Sequence, residues 1–279
     1  MKFAITLGML HPAAFEPVAI EADQLGFESL WFPEHLIFPV DMTGSPFPGV
    51  DHPPVPAETP LYDAFGMLCY LAGKTDQIRL GTNVYLLGLR HPFVAARAIQ
   101  TLDLVSKGRA EVGIGAGWLR REWKVAGLDP ATRGKRLDEA VAVCKRLWTE
   151  EIIEHHGEFF EFEPVKFEPK PIQKPHPPIH VGGESDAALR RAARLGDGWL
   201  GLRHSPESVV EPIARLQRFR REYGVEDRPF EIIVGGQVTS RDDIQRWQDV
   251  GVTRLFATPW KRSREAVEGL RRYAEIALV

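Results

Sequence analysis

The chain has 279 residues, with 35 Lys and Arg against 38 Asp and Glu, for a formal net charge of −3. That balance excludes nucleic acid as the main partner, because neutralising phosphates needs clustered surplus cations. No run approaches the roughly 20 apolar residues of a membrane span, and the N-terminus enters a strand-like run with no signal-peptide apolar region, so a cytoplasmic location is expected. A 44% hydrophobic content supports a large core, either two modest domains or one barrel of roughly 250 residues. Cys69 and Cys144 lie inside apolar helical patterns. Two reduced thiols are expected there rather than a disulfide.

Two periodicities alternate along the chain. Phe3–Met9 reads as strand one, and Pro17–Leu25 has helical spacing stopped by Gly26. Strands follow at Phe27–Phe32, Ile78–Val84, Arg109–Gly115, Pro178–Val181, Gly198–Leu202, Phe230–Gly235 and Val252–Thr258. Helices are expected at Leu61–Ala72, Phe93–Val105, over the stripe Leu137 to Trp148, and at Ala187–Leu195, Val209–Tyr223, Asp242–Val250 and Arg264–Ala277. Strictly alternating strands and helices imply parallel neighbours, and eight units in this length predict a (β/α)8 TIM barrel forming a single domain over residues 1–279. A doubly wound sheet is the alternative. Its Gly-rich first turn is missing, since the first turn reads Gly8-Met9-Leu10-His11-Pro12.

Two segments break the rhythm. Glu34–Pro60, rich in proline at positions 39, 46, 48, 53, 54, 56 and 60, is a long loop after strand two, at the end of the barrel where active sites lie. Ile152–His155 and Phe159–Glu163, flanking His156-Gly157-Glu158, read as a β-hairpin inserted before strand five.

Polar residues just after barrel strands face the site. They fall at Gly8–His11, Glu34-His35, Thr82-Asn83, Gly115–Arg121, Gly182–Ser185, Arg203-His204 and Trp260-Lys261. His35 beside Glu34 suits proton transfer near neutral pH, or is a histidine in a surface loop. Gly182-Gly183-Glu184-Ser185 is either a plain helix cap after a glycine turn or a phosphate site at a helix start. Gly113, Gly115 and Gly117 end strand four, where glycines mark close approach of a ligand or of backbone. Arg120, Arg121, Lys124, Arg133, Lys135 and Arg136 form a basic patch, either a solvated surface or a dock for an anionic tail. His155-His156 near Glu154 and Glu158 reads as a hairpin turn with scattered acids. No H-x-H, H-E-x-x-H, C-x-x-C or G-x-S-x-G occurs, so no metal is expected and a serine hydrolase is disfavoured.

Taken in order, these segments resemble the luciferase-like monooxygenase superfamily. The resemblance is carried by Trp31-Phe-Pro-Glu-His35, Leu80-Gly-Thr-Asn-Val84, Arg90-His91-Pro92, Thr101 to Arg109, Glu158-Phe-Phe-Glu-Phe162, Pro169 to Pro175, and Val181-Gly-Gly-Glu-Ser185 with its following helix and Gly196-Asp-Gly-Trp199. It implies a (β/α)8 barrel holding flavin mononucleotide (FMN) or the deazaflavin coenzyme F420. Arg90-His91-Pro92 and the Gly-Gly-Glu-Ser stretch place it nearest the F420 branch. By the same resemblance, Thr82, Asn83 and Val84 back the ring, with a non-proline cis peptide at Asn83-Val84. Gly115 and Ala116 lie near the cofactor, and Gly182, Gly183, Glu184 and Ser185 take its phosphate. His35 or Glu34 handles the proton, and Arg120, Arg121 and Lys124 meet the oligoglutamate tail.

Two departures stand out. Trp118 occupies the place where some relatives carry a proton-donating acid, and Ala116 the place of a phosphate-binding arginine in some flavin-binding members. The implied activity is hydride transfer between the deazaflavin C5 and a small organic substrate, by a homodimer. The alternatives are an FMN-dependent monooxygenase served by a separate reductase, and a non-catalytic carrier of either cofactor. Phe32, Phe38, Phe47 and Trp118 suggest a partly apolar substrate.

Overall fold

The computed structural model describes residues 1–47 and 49–278; Pro48, one of the prolines of the long connection, lies outside the described residues. In chain order the elements are β1 (Lys2–Thr6), α1 (Phe15–Leu25), β2 (Ser29–Phe32), α2 (Ala64–Ala72), β3 (Arg79–Thr82), α3 (Pro92–Val105), β4 (Ala110–Ile114), α4 (Arg120–Val125), α5 (Arg133–Thr149), β5 (Ile153–His156), β6 (Glu161–Val165), β7 (Ile179–Gly182), α6 (Asp186–Leu195), β8 (Gly198–Arg203), α7 (Val210–Glu222), β9 (Glu231–Gly235), α8 (Arg241–Asp249), β10 (Arg254–Ala257) and α9 (Ala266–Ala277). Eight strands close in the order β1-β10-β9-β8-β7-β4-β3-β2. Every pair in the ring is parallel. This is the TIM barrel expected from the alternation. β5 and β6 form the separate antiparallel hairpin, with a register shift between Ile153 and His155.

Helix ends follow local chemistry. Gly26 closes α1 in the left-handed region at φ 87°, where glycine has no Cβ penalty. Asp63 caps α2 by accepting the Gly66 N–H at 2.6 Å. Ser240 and Asp243 form a reciprocal capping box on α8. The strands are shorter at their carboxyl ends than the apolar runs suggest. β1 stops at Thr6 and β3 at Thr82, because the last apolar residues of each run belong to rim turns; Met9 sits at φ 67°. The short helix α4 was not expected, since its sequence Arg-Arg-Glu-Trp-Lys-Val has too few turns to show an apolar stripe.

The barrel's outer face packs on the helices, and Ala4, Trp31, Leu200, Ile233 and Phe256 fill its interior. Below Trp31 the base is charged. Arg254 Nη1 donates to Glu111 at 2.7 Å, Arg254 Nη2 to Glu231 at 2.5 Å, and His180 Nε2 lies 3.0 Å from Glu111. Ligand atoms of Glu111, His180 and Glu231 lie within 4.8 Å of one another, but the Arg254 guanidinium already supplies the cation. These residues sit on the first or second positions of their strands, at the opposite end of the barrel from His35. Both cysteines are free, with Cys144 buried and Cys69 half-buried. No helix among the described residues is long and apolar enough to cross a membrane.

Candidate active site at the carboxyl rim

The segments expected at the site all leave the carboxyl ends of strands. His35 follows β2, Asn83-Val84 follows β3, Gly115 and Ala116 follow β4, and Gly183 to Ser185 follow β7. The connection from Pro33 to Asp63 contains no helix or strand among its described residues, in keeping with a loop over the mouth.

His35 is held by an acid that sequence reasoning passed over. Its Nδ1 lies 2.8 Å from Oε2 of Glu122 on α4. Glu122 is fully buried, and its Oε1 accepts the Leu36 N–H at 2.7 Å and the Ile37 N–H at 3.3 Å. With Oε1 taken by two backbone donors, Oε2 is left to accept from the imidazole. That holds the proton on Nδ1 and presents Nε2 as the basic nitrogen. Phe38 and Trp118 flank the ring at 4.7 and 5.7 Å between centroids. Trp118 therefore flanks the imidazole, and the carboxylate that holds it lies four residues further along the chain. In sequence the stretch reads as a basic patch, either a solvated surface or a dock for an anionic tail; burial sets Glu122 apart from its charged neighbours Arg121 and Lys124, which are exposed.

Glu34 is engaged elsewhere. Its Oε1 takes Arg90 Nη2 at 2.5 Å, and its Oε2 accepts the Leu86 N–H at 2.9 Å and faces Arg90 Nη1 at 3.4 Å. Arg90 also donates to the Leu86 carbonyl at 3.1 Å and stacks on Tyr85 at 4.4 Å. Burial pushes the Glu34 carboxyl above the usual range, against the pull of Arg90 and the Leu86 N–H. Glu34 and Arg90 thus clamp the backbone just beyond Val84 to the end of β2.

The Asn83-Val84 peptide is cis, as the resemblance implies. The Thr82 hydroxyl is buried and donates to the Gly113 carbonyl at 2.8 Å, so its side chain fixes β3 to β4 rather than facing the mouth. Val84 packs on the interior cluster under the rim. A Cβ on Gly115 would meet Val84 Cγ2 at 2.6 Å, and one on Gly182 would meet Cγ1 at 2.8 Å. Both glycines let β4 and β7 close on Val84, so three of the expected residues form one platform. The Ala116 carbonyl accepts from Trp123 Nε1 at 3.1 Å and ties the rim to α4.

At the proposed phosphate segment the Gly183 N–H donates to Leu200 at 3.3 Å, within the barrel. The Ser185 side chain caps α6 by accepting the Ala188 N–H at 3.3 Å. Asp186 and Ala187 are exposed, and their N–H groups have no acceptor among the described residues. Those free donors at a helix start, with the Ser185 hydroxyl beside them, fit a phosphate. Glu184 contributes its backbone only. Its carboxylate accepts the Leu202 N–H at 2.6 Å and lies 3.3 Å from His204 Nε2. Phe32 is buried against Phe15, so it does not line the mouth. His155 pairs with Glu139 at 3.0 Å and holds the hairpin.

The chain belongs to the luciferase-like monooxygenase family, whose pattern it matches over residues 8–264. It is 31% identical over 255 residues to an uncharacterised protein of Mycobacterium tuberculosis, covering 91% of this chain and 87% of that one. It is 31% identical over 231 residues to an F420-dependent glucose-6-phosphate dehydrogenase of Kineococcus radiotolerans (79% of this chain, 63% of the other). It is equally similar, over 202 residues, to an FMNH2-dependent dimethylsulfone monooxygenase of Pseudomonas putida (71% and 53%). The fold matches an F420-dependent secondary alcohol dehydrogenase with a TM-score of 0.79 at 17% identity, covering 99% of this chain and 98% of that one.

Proposed function

We propose that the protein is an F420-dependent oxidoreductase acting on a small organic substrate. The observation that carries this reading is the His35–Glu122 pair, a histidine with one nitrogen locked to a buried acid at the end of β2, beside strands whose rims offer a flat platform and free helix N–H groups.

The deazaflavin, when bound, supplies a two-electron hydride donor or acceptor at C5 and little oxygen chemistry. Val84, with Gly115 and Gly182 behind it, would back the ring. Ser185 and the first N–H groups of α6 would hold the phosphate. His35 Nε2 delivers or removes the proton that accompanies hydride transfer. Glu122 keeps the opposite nitrogen protonated throughout and offsets the imidazolium charge when Nε2 is protonated. Glu34 and Arg90 position the platform rather than exchange protons. Phe38 and Trp118 make an apolar wall beside His35, which suits a partly apolar substrate and keeps water from the reacting face.

The second reading is an FMN-dependent monooxygenase, supported by the similarity to the dimethylsulfone enzyme. Against it stands Ala116, a methyl where some flavin-binding relatives carry an arginine for phosphate. The test separating an enzyme from a carrier is His35→Ala. Lost turnover with retained cofactor affinity supports the proposal; a variant indistinguishable from wild type in every property rejects it.

A further inference from the structure

Two hydroxyls at the barrel mouth donate to nothing in the chain. Outside the Glu34–Pro60 connection, each threonine other than Thr6 and Thr258 donates its hydroxyl to a carbonyl or carboxylate. Thr6 Oγ1 accepts the Gly8 N–H at 3.3 Å, and its own hydrogen has no acceptor among the described residues. The Thr258 side chain has no hydrogen-bond partner among them.

Strand geometry brings the two together and turns them inward. β1 and β10 pair in parallel, with Ala4 beside Phe256 and Ile5 beside Ala257. One step further sets Thr6 beside Thr258, the first residue after β10. Ala4 and Phe256 fill the barrel interior, whereas Ile5, Leu7, Leu255 and Ala257 belong to the outer core under the helices. Side chains alternate along a barrel strand, so Thr6 and Thr258 face inward one layer above Ala4 and Phe256. That layer is the open floor of the mouth: Thr6 is partly exposed and Thr258 exposed.

Ring order fixes their place in the site. β1 and β10 stand opposite β7 and β4, whose Gly182 and Gly115 close on Val84 in the platform. β2, the other neighbour of β1, leads into His35. A molecule lying between the platform and His35 meets the two hydroxyls on its far side, with Phe38 and Trp118 as the apolar flank.

We propose that Thr6 and Thr258 bind an oxygen of the substrate away from the reacting carbon, so that the enzyme selects a hydroxylated carbonyl compound, or the corresponding diol, over its apolar analogue. This rests on the deazaflavin reading and deepens it by naming the substrate class. A threonine hydroxyl both donates and accepts. An analogue with a methyl in place of that oxygen leaves both hydroxyls without water and without a partner.

The test is reduction of matched ketones by the full chain loaded with reduced F420: hydroxyacetone against butanone, and α-hydroxyacetophenone against propiophenone. Within each pair a hydroxyl is exchanged for a methyl. The hydroxylated member has a kcat/KM about tenfold higher. Thr6→Val/Thr258→Val loses this preference, each single valine variant loses part of it, and Thr6→Ser/Thr258→Ser keeps it. Thr149→Val, exposed on α5, keeps it as well. An F420 titration of the same samples reports folding and cofactor binding apart from turnover. Equal kcat/KM within both pairs, a preference that survives the double valine variant, or an F420-loaded protein that reduces neither pair overturns the substrate class and leaves the deazaflavin reading in place. Failure of the wild type to bind F420 overturns both.

Discussion

His35 Nδ1 and Glu122 Oε2 stand 2.8 Å apart across 87 positions of sequence. The other Glu122 oxygen is fixed by the N–H groups of Leu36 and Ile37, so the carboxylate holds both the ring and the backbone that carries it. Glu122→Gln keeps an acceptor for the backbone but presents an amide N–H to the imidazole. That reverses the tautomer and places the proton on Nε2. Turnover is expected to fall about 10²-fold, in the range of general acid–base catalysis, with cofactor affinity unchanged. Steady-state kinetics and a binding titration on the same variant check this. Wild-type kcat in the Gln variant would remove Glu122 from the mechanism.

In the Glu34–Arg90 pair the carboxylate is buried and the guanidinium partly so, with side-chain exposures of 1% and 14%. Arg90→Ala strands the carboxyl in an apolar setting. Loss of one partner of such a pair costs about 3–5 kcal/mol, read as a lower urea midpoint. Glu34→Gln/Arg90→Met, which removes both charges, is expected to recover much of the loss. A single variant within about 0.5 kcal/mol of wild type contradicts the clamp.

The base of the barrel makes stability acid-sensitive. Burial alone would raise Glu111, but His180, Arg254 and Arg79 outweigh it and hold the carboxyl far below the usual range. Glu231 is lowered as well, against its own burial, chiefly by Arg254. A depressed folded-state value means that the unfolded chain binds more protons, so this stability is fully present above the ordinary carboxylate range, begins to fall as pH enters that range and is lost as pH falls on through the lowered folded-state value. Unfolding free energy measured from pH 6 down to pH 3 should decline, and Glu111→Gln should flatten the slope. An unchanged slope in that variant would assign the acid sensitivity elsewhere.

Ser185→Ala removes a helix cap and a hydroxyl at the proposed phosphate position. It is expected to cost about 1 kcal/mol of stability and to weaken a phosphate-bearing cofactor more than its dephosphorylated core. Parallel titrations with both forms check this. Equal weakening of the two would place the phosphate away from α6.

The fold was readable because each barrel strand is buried on both faces and each helix on one, so local pattern and tertiary burial agree. The candidate site was readable only where its residues sit in contiguous motifs. Glu34-His35, Asn83-Val84 and Gly182 to Ser185 appear as short signatures at strand ends. Glu122 does not, because its burial comes from the loop folding back over α4 and nothing in Arg-Arg-Glu-Trp-Lys shows that. Arg90 stood out on its own, but its pairing with Glu34 across 56 positions is a product of adjacent strand ends. For the same reason Glu34 reads as a proton carrier in sequence and as a clamp in the structure.

The most direct measurement is a side-by-side titration of the cofactor-free protein with F420 and FMN, followed by anaerobic mixing of the F420 complex with candidate carbonyl and alkene substrates. The account predicts tight F420 binding, much weaker FMN binding, and oxidation of reduced F420 that depends on His35. Tight FMN binding with no measurable affinity for F420 would contradict it.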